Sequence, residues 1–244
     1  RFNYYNGATA ADIAKYGENY NAYTSDPFLA NGKPNTFYTG YNYNRYLNWV
    51  AYGKYEGEVG KVKFSEQLYY YYGNGFGAGA TTFPQTLLTP QGTVQRTSPA
   101  ANQVLLRNSV NNTHRWGNIA KLLFPLGPVD TELGFWFNHN NTMHDAQYYN
   151  QANTYLGSTY IEPVKTDTYE PFIVFNYKPT QALKLTAGVK YLYAQRDFRD
   201  EVALAQNKPG VFNANFHAVL PSVGLNYRVM DGVNVFANFT QNAN

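Results

Sequence analysis

The residues that could carry out chemistry are few and widely spaced. The chain has 244 residues, four histidines and no cysteine. His139 and His144 stand five positions apart, which matches no compact metal-ligand spacing. No serine lies in a recognisable nucleophile motif. The run Asp197–Glu201 carries oxygen ligands that suit Ca²⁺, but Arg199 within it favours a self-compensated loop tip. We therefore predict no catalytic residues, no metal site, no cofactor and no enzymatic activity.

Binding residues are better represented than catalytic ones. Tyr148, Tyr149 and Tyr155 crowd a polar segment, and Arg115 and Lys121 precede it. Tyrosine offers a large, fairly rigid contact surface with a hydrogen-bonding tip, while cations attract an anionic ligand. We predict that a cargo is caught first by the three tyrosines, with Arg115 or Lys121 beneath. Two alternatives stay open: the tyrosines could pack loop on loop or sit in an aromatic girdle, and the cations could pair with acidic groups of a domain that fills the lumen.

Composition narrows the class of protein. Charged residues make up 14% of the chain and aromatic residues 18%, and the net charge is +3. That charge is small and dispersed, so nucleic acid is not a predicted partner. No run approaches the ~18 apolar residues of a transmembrane helix. The aromatic bias is typical of barrel strands with girdles at the membrane interfaces, and equally of a tyrosine-rich extracellular β-protein.

The elements that position these residues are strands, because apolar and polar residues alternate with period two. The clearest case is Ala182–Phe198. Lysines at membrane depth require a face that meets water or a protein-filled lumen. We expect lipid to contact Leu183, Leu185, Val189, Phe135 and Phe137, and the lumen to contact Lys184, Lys190, Glu132 and Glu170. We predict eight strands, over Thr36–Tyr55, Lys61–Tyr72, Thr113–Phe124, Thr131–His139, Thr168–Tyr177, Ala182–Phe198, Ala214–Arg228 and Val233–Thr240.

Some residues depart from the alternation. Glu66 falls on the apolar face of its strand, and a β-bulge would repair the pattern. Trp136 falls on the polar face. Pro171 and Pro221 lie inside strand patterns, although proline cannot donate to a ladder, so we expect each near a rim or a bulge.

Short and long connections alternate along the chain. This layout is typical of outer-membrane β-barrels, with tight periplasmic turns on one rim and long extracellular loops on the other. Neither end carries a terminal element, so we expect an excerpt from a longer protein. The short connections are Glu56–Gly60, Pro125–Asp130, Lys178–Gln181 and Val229–Gly232, and the long ones are Gly73–Asn112, Asn140–Asp167 and Asp197–Asn213.

Two motifs in the last quarter of the chain resemble the TonB-dependent outer-membrane receptors. Leu183–Tyr191 is similar to that family's pattern L-x-L-x-x-G-x-R-Y, with Lys190 where arginine is frequent. Phe216–Tyr227 and Gly232–Phe239 follow in the family's order, as P-x-x-G-x-x-Y, a turn, and a strand resembling L-Y-A-x-Y. The resemblance covers Leu183–Thr240.

The resemblance implies a 22-stranded antiparallel transmembrane barrel in the bacterial outer membrane, filled by an N-terminal plug. Such a receptor imports a scarce nutrient with TonB-derived energy; the typical cargo is a ferric siderophore, and cobalamin, haem and oligosaccharides also occur. Residues 1–244 would be a partial barrel domain of about eight strands from its middle-to-late part, without the plug that contacts TonB and without the C-terminal strands. Lipid of the outer membrane would surround it.

Two other readings stay open. A passive channel or small complete barrel would pair its first and last strands. A soluble or surface β-protein that binds carbohydrate would pack two sheets face to face.

Overall fold

The computed structural model describes residues 10–17 and 24–242, and it is an antiparallel β-structure. Alternating, β-branched and aromatic-rich runs form the strands. The helices are α1 (Ala10–Tyr16) and α2 (Glu201–Ala205). The strands are β1 (Asn44–Val59), β2 (Val62–Thr81), β3 (Gln85–Leu88), β4 (Val94–Thr97), β5 (Leu105–Leu126), β6 (Val129–Tyr149), β7 (Tyr155–Tyr177), β8 (Leu183–Arg199), β9 (Val211–Met230) and β10 (Val233–Thr240).

Eight strands follow one another in a single meander, in the order β1-β2-β5-β6-β7-β8-β9-β10. The prediction of about eight antiparallel strands is confirmed. Within the described residues β1 and β10 do not pair, so the sheet is open and the small closed barrel is wrong. Since the strands belong to one sheet, the sandwich of two facing sheets is also wrong.

The predicted long loops are wrong in large part, because the strands continue through them. β6 runs to Tyr149 and β7 begins at Tyr155, so Asn140–Asp167 is mostly a hairpin. The segment Gly73–Asn112 holds the end of β2, the β3–β4 hairpin and the start of β5. Ladder hydrogen bonds do not require an apolar face. Where both faces of a strand meet water, its period-two signal disappears and the sequence reads as a loop.

The short turns agree with the sequence. Gly60 and Gly127 adopt φ of 62° and 63°, the left-handed region that glycine enters without strain. They reverse the chain between β1 and β2 and between β5 and β6. The short connections that follow β1, β5, β7 and β9 share one edge of the meander. We call this edge the short-turn rim.

The ladder sorts the side chains into two faces as expected. Leu122 pairs with Leu133, Leu133 with Ile173, and Ile173 with Val189, which places them in one row on the apolar face. On the polar face Lys121 Nζ lies 2.8 Å from Glu132 Oε1, and Lys190 Nζ lies 3.1 Å from Glu170 Oε1. The predicted division into two faces is therefore confirmed.

Trp136 belongs to the polar face without conflict. Its Nε1–H donates to the Tyr69 hydroxyl at 2.9 Å, and that hydroxyl donates to Asn138 Oδ1 at 2.9 Å. A hydrogen-bonded indole tolerates a polar setting.

Two bands of aromatic side chains cross the apolar face. The outer belt lies toward the long connections, and its neighbouring rings touch, as Trp116 and Phe137 do with ring centroids 5.2 Å apart. The inner belt lies toward the short-turn rim. The outer belt comprises Trp49, Tyr70, Tyr72, Trp116, Phe137, Tyr169 and Tyr193, and the inner belt comprises Tyr55, Phe64, Phe124, Tyr177 and Tyr227.

Phe64 and Tyr70 are six positions apart on β2, and Tyr169 and Tyr177 are eight positions apart on β7. For strands tilted by about 40° this is about 15–20 Å, on the scale of the apolar band of a membrane barrel. Among the described residues, no helix is both long and apolar enough to cross a bilayer.

The bulge that would repair the pattern at Glu66 is absent. β2 keeps continuous register with both β1 and β5 through Glu66, so its carboxylate does lie on the apolar face. Irregularities of register occur instead after Asp145, after Tyr148 and after Val233. Pro171 interrupts pairing on its β8 side, whereas Pro221 pairs with Val189 and its carbonyl accepts from the Gln241 N–H.

A small core forms where the β3–β4 hairpin folds over the polar face. Leu88 of β3 pairs with Ser158 of β7, which lays Leu87 against the sheet. Leu87 is fully buried. The short helix α2 contacts the same region, begins at an Asp200 cap and buries Val202. The core comprises Leu87, Leu105, Ala146 and Tyr148, with Leu156 and Tyr160 against it.

Candidate functional site

Two arginines lie in one cross-strand row of the polar face. Arg115 on β5 pairs with Asn140 on β6, Asn140 pairs with Thr166 on β7, and Thr166 pairs with Arg196 on β8. We call these four residues the arginine row. Because neighbouring strands lie about 4.8 Å apart, the two arginines are about 14 Å apart across three intervals. The row sits at the level of the outer belt, on the opposite face of the sheet.

Neutral side chains hold the two guanidinium groups. Arg115 Nε donates to Asn140 Oδ1 at 3.3 Å, and Arg196 Nε donates to Thr166 Oγ1 at 3.3 Å. The rows directly above and below on this face contain no carboxylate. They are Thr113–Thr142–Val164–Phe198 and Gly117–Asn138–Thr168–Ala194. Within the described residues neither arginine forms an ion pair. Their charge is therefore available to an anion.

Aromatic side chains border the row on the β1 and β2 side. The Arg115 guanidinium lies 5.9 Å from the centre of the Tyr71 ring, a cation–π distance. The Tyr71 and Tyr46 hydroxyls are 3.3 Å apart. This hydrogen bond, together with burial, raises the pKa of Tyr46 to about 12. The Tyr46 phenol therefore stays neutral and can offer a hydrogen bond to a ligand.

Toward the short-turn rim, two lysines of the polar face are already compensated. Lys121 pairs with Glu132, and Lys190 pairs with Glu170. Both ammonium groups also face the Phe172 ring, at 5.7 Å and 6.0 Å from its centre. Lys121, a predicted ligand contact, thus lies six positions along β5 from Arg115 and has an acidic partner.

The three predicted tyrosines do not form one surface. Tyr148 is 6% exposed, packs in the core under the β3–β4 hairpin, and pairs with Arg107 rather than with Arg115. Burial raises the pKa of Tyr148. Tyr149 and Tyr155 lie on the other face, with ring centroids 5.5 Å apart. Period-two alternation separates Tyr148 from Tyr149, as it must for consecutive strand residues.

Arg107 is a basic residue that sequence reasoning missed. Its Nη2 donates to the Tyr160 hydroxyl at 3.5 Å, and its buried Nε has no hydrogen-bond partner among the described residues. Arg196 was missed as well. Its signal in the sequence is weak, because its partners Thr166 and Asn140 are distant along the chain and only the register brings them together.

The histidines are divided between the faces. His139 Nδ1 lies 2.6 Å from Asp167 Oδ1 on the apolar face, beside the Trp116 ring. His144 pairs with Glu162 on the polar face. These two histidines therefore cannot share one ligand. Among residues 10–17 and 24–242, no group of three His, Asp or Glu side chains is arranged to hold a metal ion.

One carboxyl group lies in an unfavourable environment near α2. Burial raises the pKa of Glu162, and the neighbouring Asp200 raises it further, while His144 partly opposes the effect. Asp200 is also the cap of α2, accepting from the Val202 and Ala203 N–H groups. The docking of this helix therefore places two carboxylates close together.

Comparisons with known proteins agree with this architecture. The family model described as "TonB dependent receptor-like, beta-barrel" matches residues 1–244. The structure is similar to the crystal structure of the ferric citrate transporter FecA in the unliganded form, with a TM-score of 0.56 and 14% sequence identity. That similarity covers 83% of this chain and 28% of the FecA chain, and at this identity it shows the fold alone. No curated protein matches this chain.

Proposed function

The chain belongs to the family of TonB-dependent receptor β-barrels, and we propose from this premise that it forms part of the barrel of an outer-membrane importer. In this proposal the apolar face and its two belts meet lipid, and the polar face lines the lumen. A scarce nutrient enters from the rim opposite the short turns. Energy reaches the barrel from TonB through a plug domain. The family match along the whole chain is the observation that carries this function.

The proposed cargo is a ferric siderophore or a similar anionic ferric chelate. The arginine row supports this class, because two uncompensated guanidinium groups face the lumen at the level where the barrel opens. Each guanidinium presents a planar fork of donors that matches a carboxylate in bidentate geometry. A carboxylate-rich chelate that spans about 14 Å could contact both arginines.

The other predicted contacts take different parts in this proposal. Tyr149 and Tyr155 stand at an exposed turn and are proposed to make the first contact with the cargo. Tyr148 supports that turn from the core beneath it. In this proposal Lys121 contacts the cargo only after it gives up its ion pair with Glu132. We therefore expect Lys121 to contribute less to cargo affinity than Arg115.

Removal of the arginine row tests the cargo class. The double variant Arg115→Ala with Arg196→Ala should lose about tenfold or more in affinity for a carboxylate-bearing ferric chelate, because two charge-assisted contacts disappear. Affinity for a neutral cargo such as cobalamin, where the parent binds it, should not change. Equilibrium binding to the full-length protein, followed by intrinsic fluorescence, measures both.

Lys165→Ala is the matched control, since Lys165 is a cation of β7 on the opposite face, one position from Thr166. Heat-modifiable gel mobility reports folding of each variant. Unchanged affinity for anionic chelates in the folded double variant would remove the arginine row as the site. Uptake that persists without TonB would instead favour a passive channel.

A further inference from the structure

Glu66 is the single charged residue between the two belts on the apolar face of the described chain. The alternation, the ladder and the absence of a bulge all place it there. Charged side chains on the lipid side of a barrel are costly, and those that persist mark a function more often than an accident. A carboxylate at this position therefore requires a partner that donates a hydrogen bond or carries a positive charge.

The hydrogen-bonding capacity of the Glu66 carboxylate is only partly satisfied by its neighbours. Asn118 Nδ2 donates to Oε1 at 2.9 Å. Within the described residues no side chain donates to the other carboxylate oxygen. Tyr55 pairs with Glu66 in the ladder, and its ring lies 5.6 Å from that of Phe64. Glu66 thus lies between the belts but directly beside the inner belt, close to the level at which lipid head groups meet the hydrocarbon.

An apolar groove of about 520 Å³ begins beside Glu66 and crosses β5 and β6 to β7. Its floor is low because Ala120 and Pro171 carry small side chains between larger neighbours. The walls come from Phe64, Leu122, Leu133 and Phe135.

The direction of the groove follows from the belts. Each belt marks one height in the membrane, and the outer belt passes through Tyr72 on β2 and Tyr193 on β8. In the ladder, however, Tyr193 lies in the same cross-strand row as Leu68, which is nearer the short-turn rim than Tyr72. A cross-strand row therefore rises from β2 toward β8, as strand tilt requires. The groove starts at head-group level at Glu66 and climbs into the hydrocarbon at Pro171.

We propose that this groove is a binding site for a phospholipid with a primary ammonium head group. The ammonium donates to the Glu66 carboxylate beside Asn118, and one acyl chain lies between Phe64, Leu122 and Phe135. An anionic head group would be repelled by Glu66, and a quaternary ammonium has no N–H to donate. The inference rests on the proposed contact of the apolar face with lipid.

Native mass spectrometry of the full-length protein tests this site. The protein is offered equal amounts of phosphatidylethanolamine, phosphatidylcholine and phosphatidylglycerol in detergent, and the retained lipids are counted. We expect phosphatidylethanolamine to be retained about threefold to fivefold over each of the others, the range of one exposed ion pair. Glu66→Gln should bring the three lipids to equal retention. Ala120→Leu, which fills the groove, should lower the total.

Glu58→Gln is the matched control, because Glu58 is an exposed acid of β1 on the polar face. It should leave the preference intact. Equal retention of the three lipids by the parent protein, or a preference that survives Glu66→Gln, would overturn the head-group assignment. Failure of the lipid-facing premise has a different signature, since Ala120→Leu would then leave total lipid retention unchanged in a folded barrel.

Discussion

Single residues of this sheet are constrained chiefly by the face on which they lie. Val189 occupies the middle of an apolar row, whereas its neighbour Lys190 forms an ion pair with Glu170 at 3.1 Å. We predict that Val189→Arg destabilises the barrel by about 2–4 kcal/mol, the cost of a cation at mid-membrane on the lipid side. Lys190→Ala should cost about 1 kcal/mol or less, because the Lys190 side chain is half exposed. Refolding into lipid vesicles across a urea series measures both, and equal tolerance would contradict the facing.

A second prediction at this scale concerns Glu162, whose pKa is raised by burial and by Asp200. When the pKa of a carboxyl is higher in the folded state than in the unfolded state, the folded state loses stability as pH rises from the unfolded pKa through the folded pKa. Docking of α2 should therefore be tighter at about pH 5 than at about pH 7. Glu162→Gln removes the ionisation and should make the protection of α2 amides independent of pH. Hydrogen exchange reports this, with Glu58→Gln as control; a pH dependence that survives Glu162→Gln would point to His144 or Asp200.

At the scale of elements, the β3–β4 hairpin is held to the sheet by close backbone contact. Gly157 on β7 has φ of 139°, and a Cβ there would overlap the Leu88 carbonyl oxygen. We predict that Gly157→Ala costs about 1–3 kcal/mol and releases the hairpin from β7 while the long strands stay paired. Limited proteolysis within residues 85–97 should become faster. Gly53→Ala is the control, since open space surrounds Gly53 in β1; unchanged proteolysis of the Gly157→Ala variant would show that the hairpin is held elsewhere.

At the scale of the whole molecule, we expect the two edges of the meander to lie on opposite sides of the membrane. The chain has no cysteine, so single-cysteine variants give an unambiguous label. We predict that a membrane-impermeant maleimide labels Ala152→Cys in the β6–β7 turn on intact cells. Asp231→Cys in the β9–β10 turn should react only after the outer membrane is opened. Labelling of Asp231→Cys on intact cells would invert the topology.

The sequence alone determined the two faces, the short turns and the family. These depend on local information: period-two alternation where one face is apolar, glycine where the backbone needs positive φ, and short motifs such as Leu183–Tyr191. Alternation also located Glu66 on the apolar face, where a bulge would have removed the misfit. Since the ladder is regular there, the apparent exception in the pattern was a true feature of the molecule.

Only the tertiary structure decided the length of the strands and the partners across them. β6 and β7 continue beyond the apolar band, where no alternation marks them, because backbone hydrogen bonds form without regard to side-chain polarity. Register decides which distant residues meet: it joins Arg115 to Arg196 through Asn140 and Thr166, and Glu66 to Asn118. It also sends Tyr148 into a core and Tyr149 to the opposite face. Register is a property of the paired strands, since a slip of one residue would exchange the two faces.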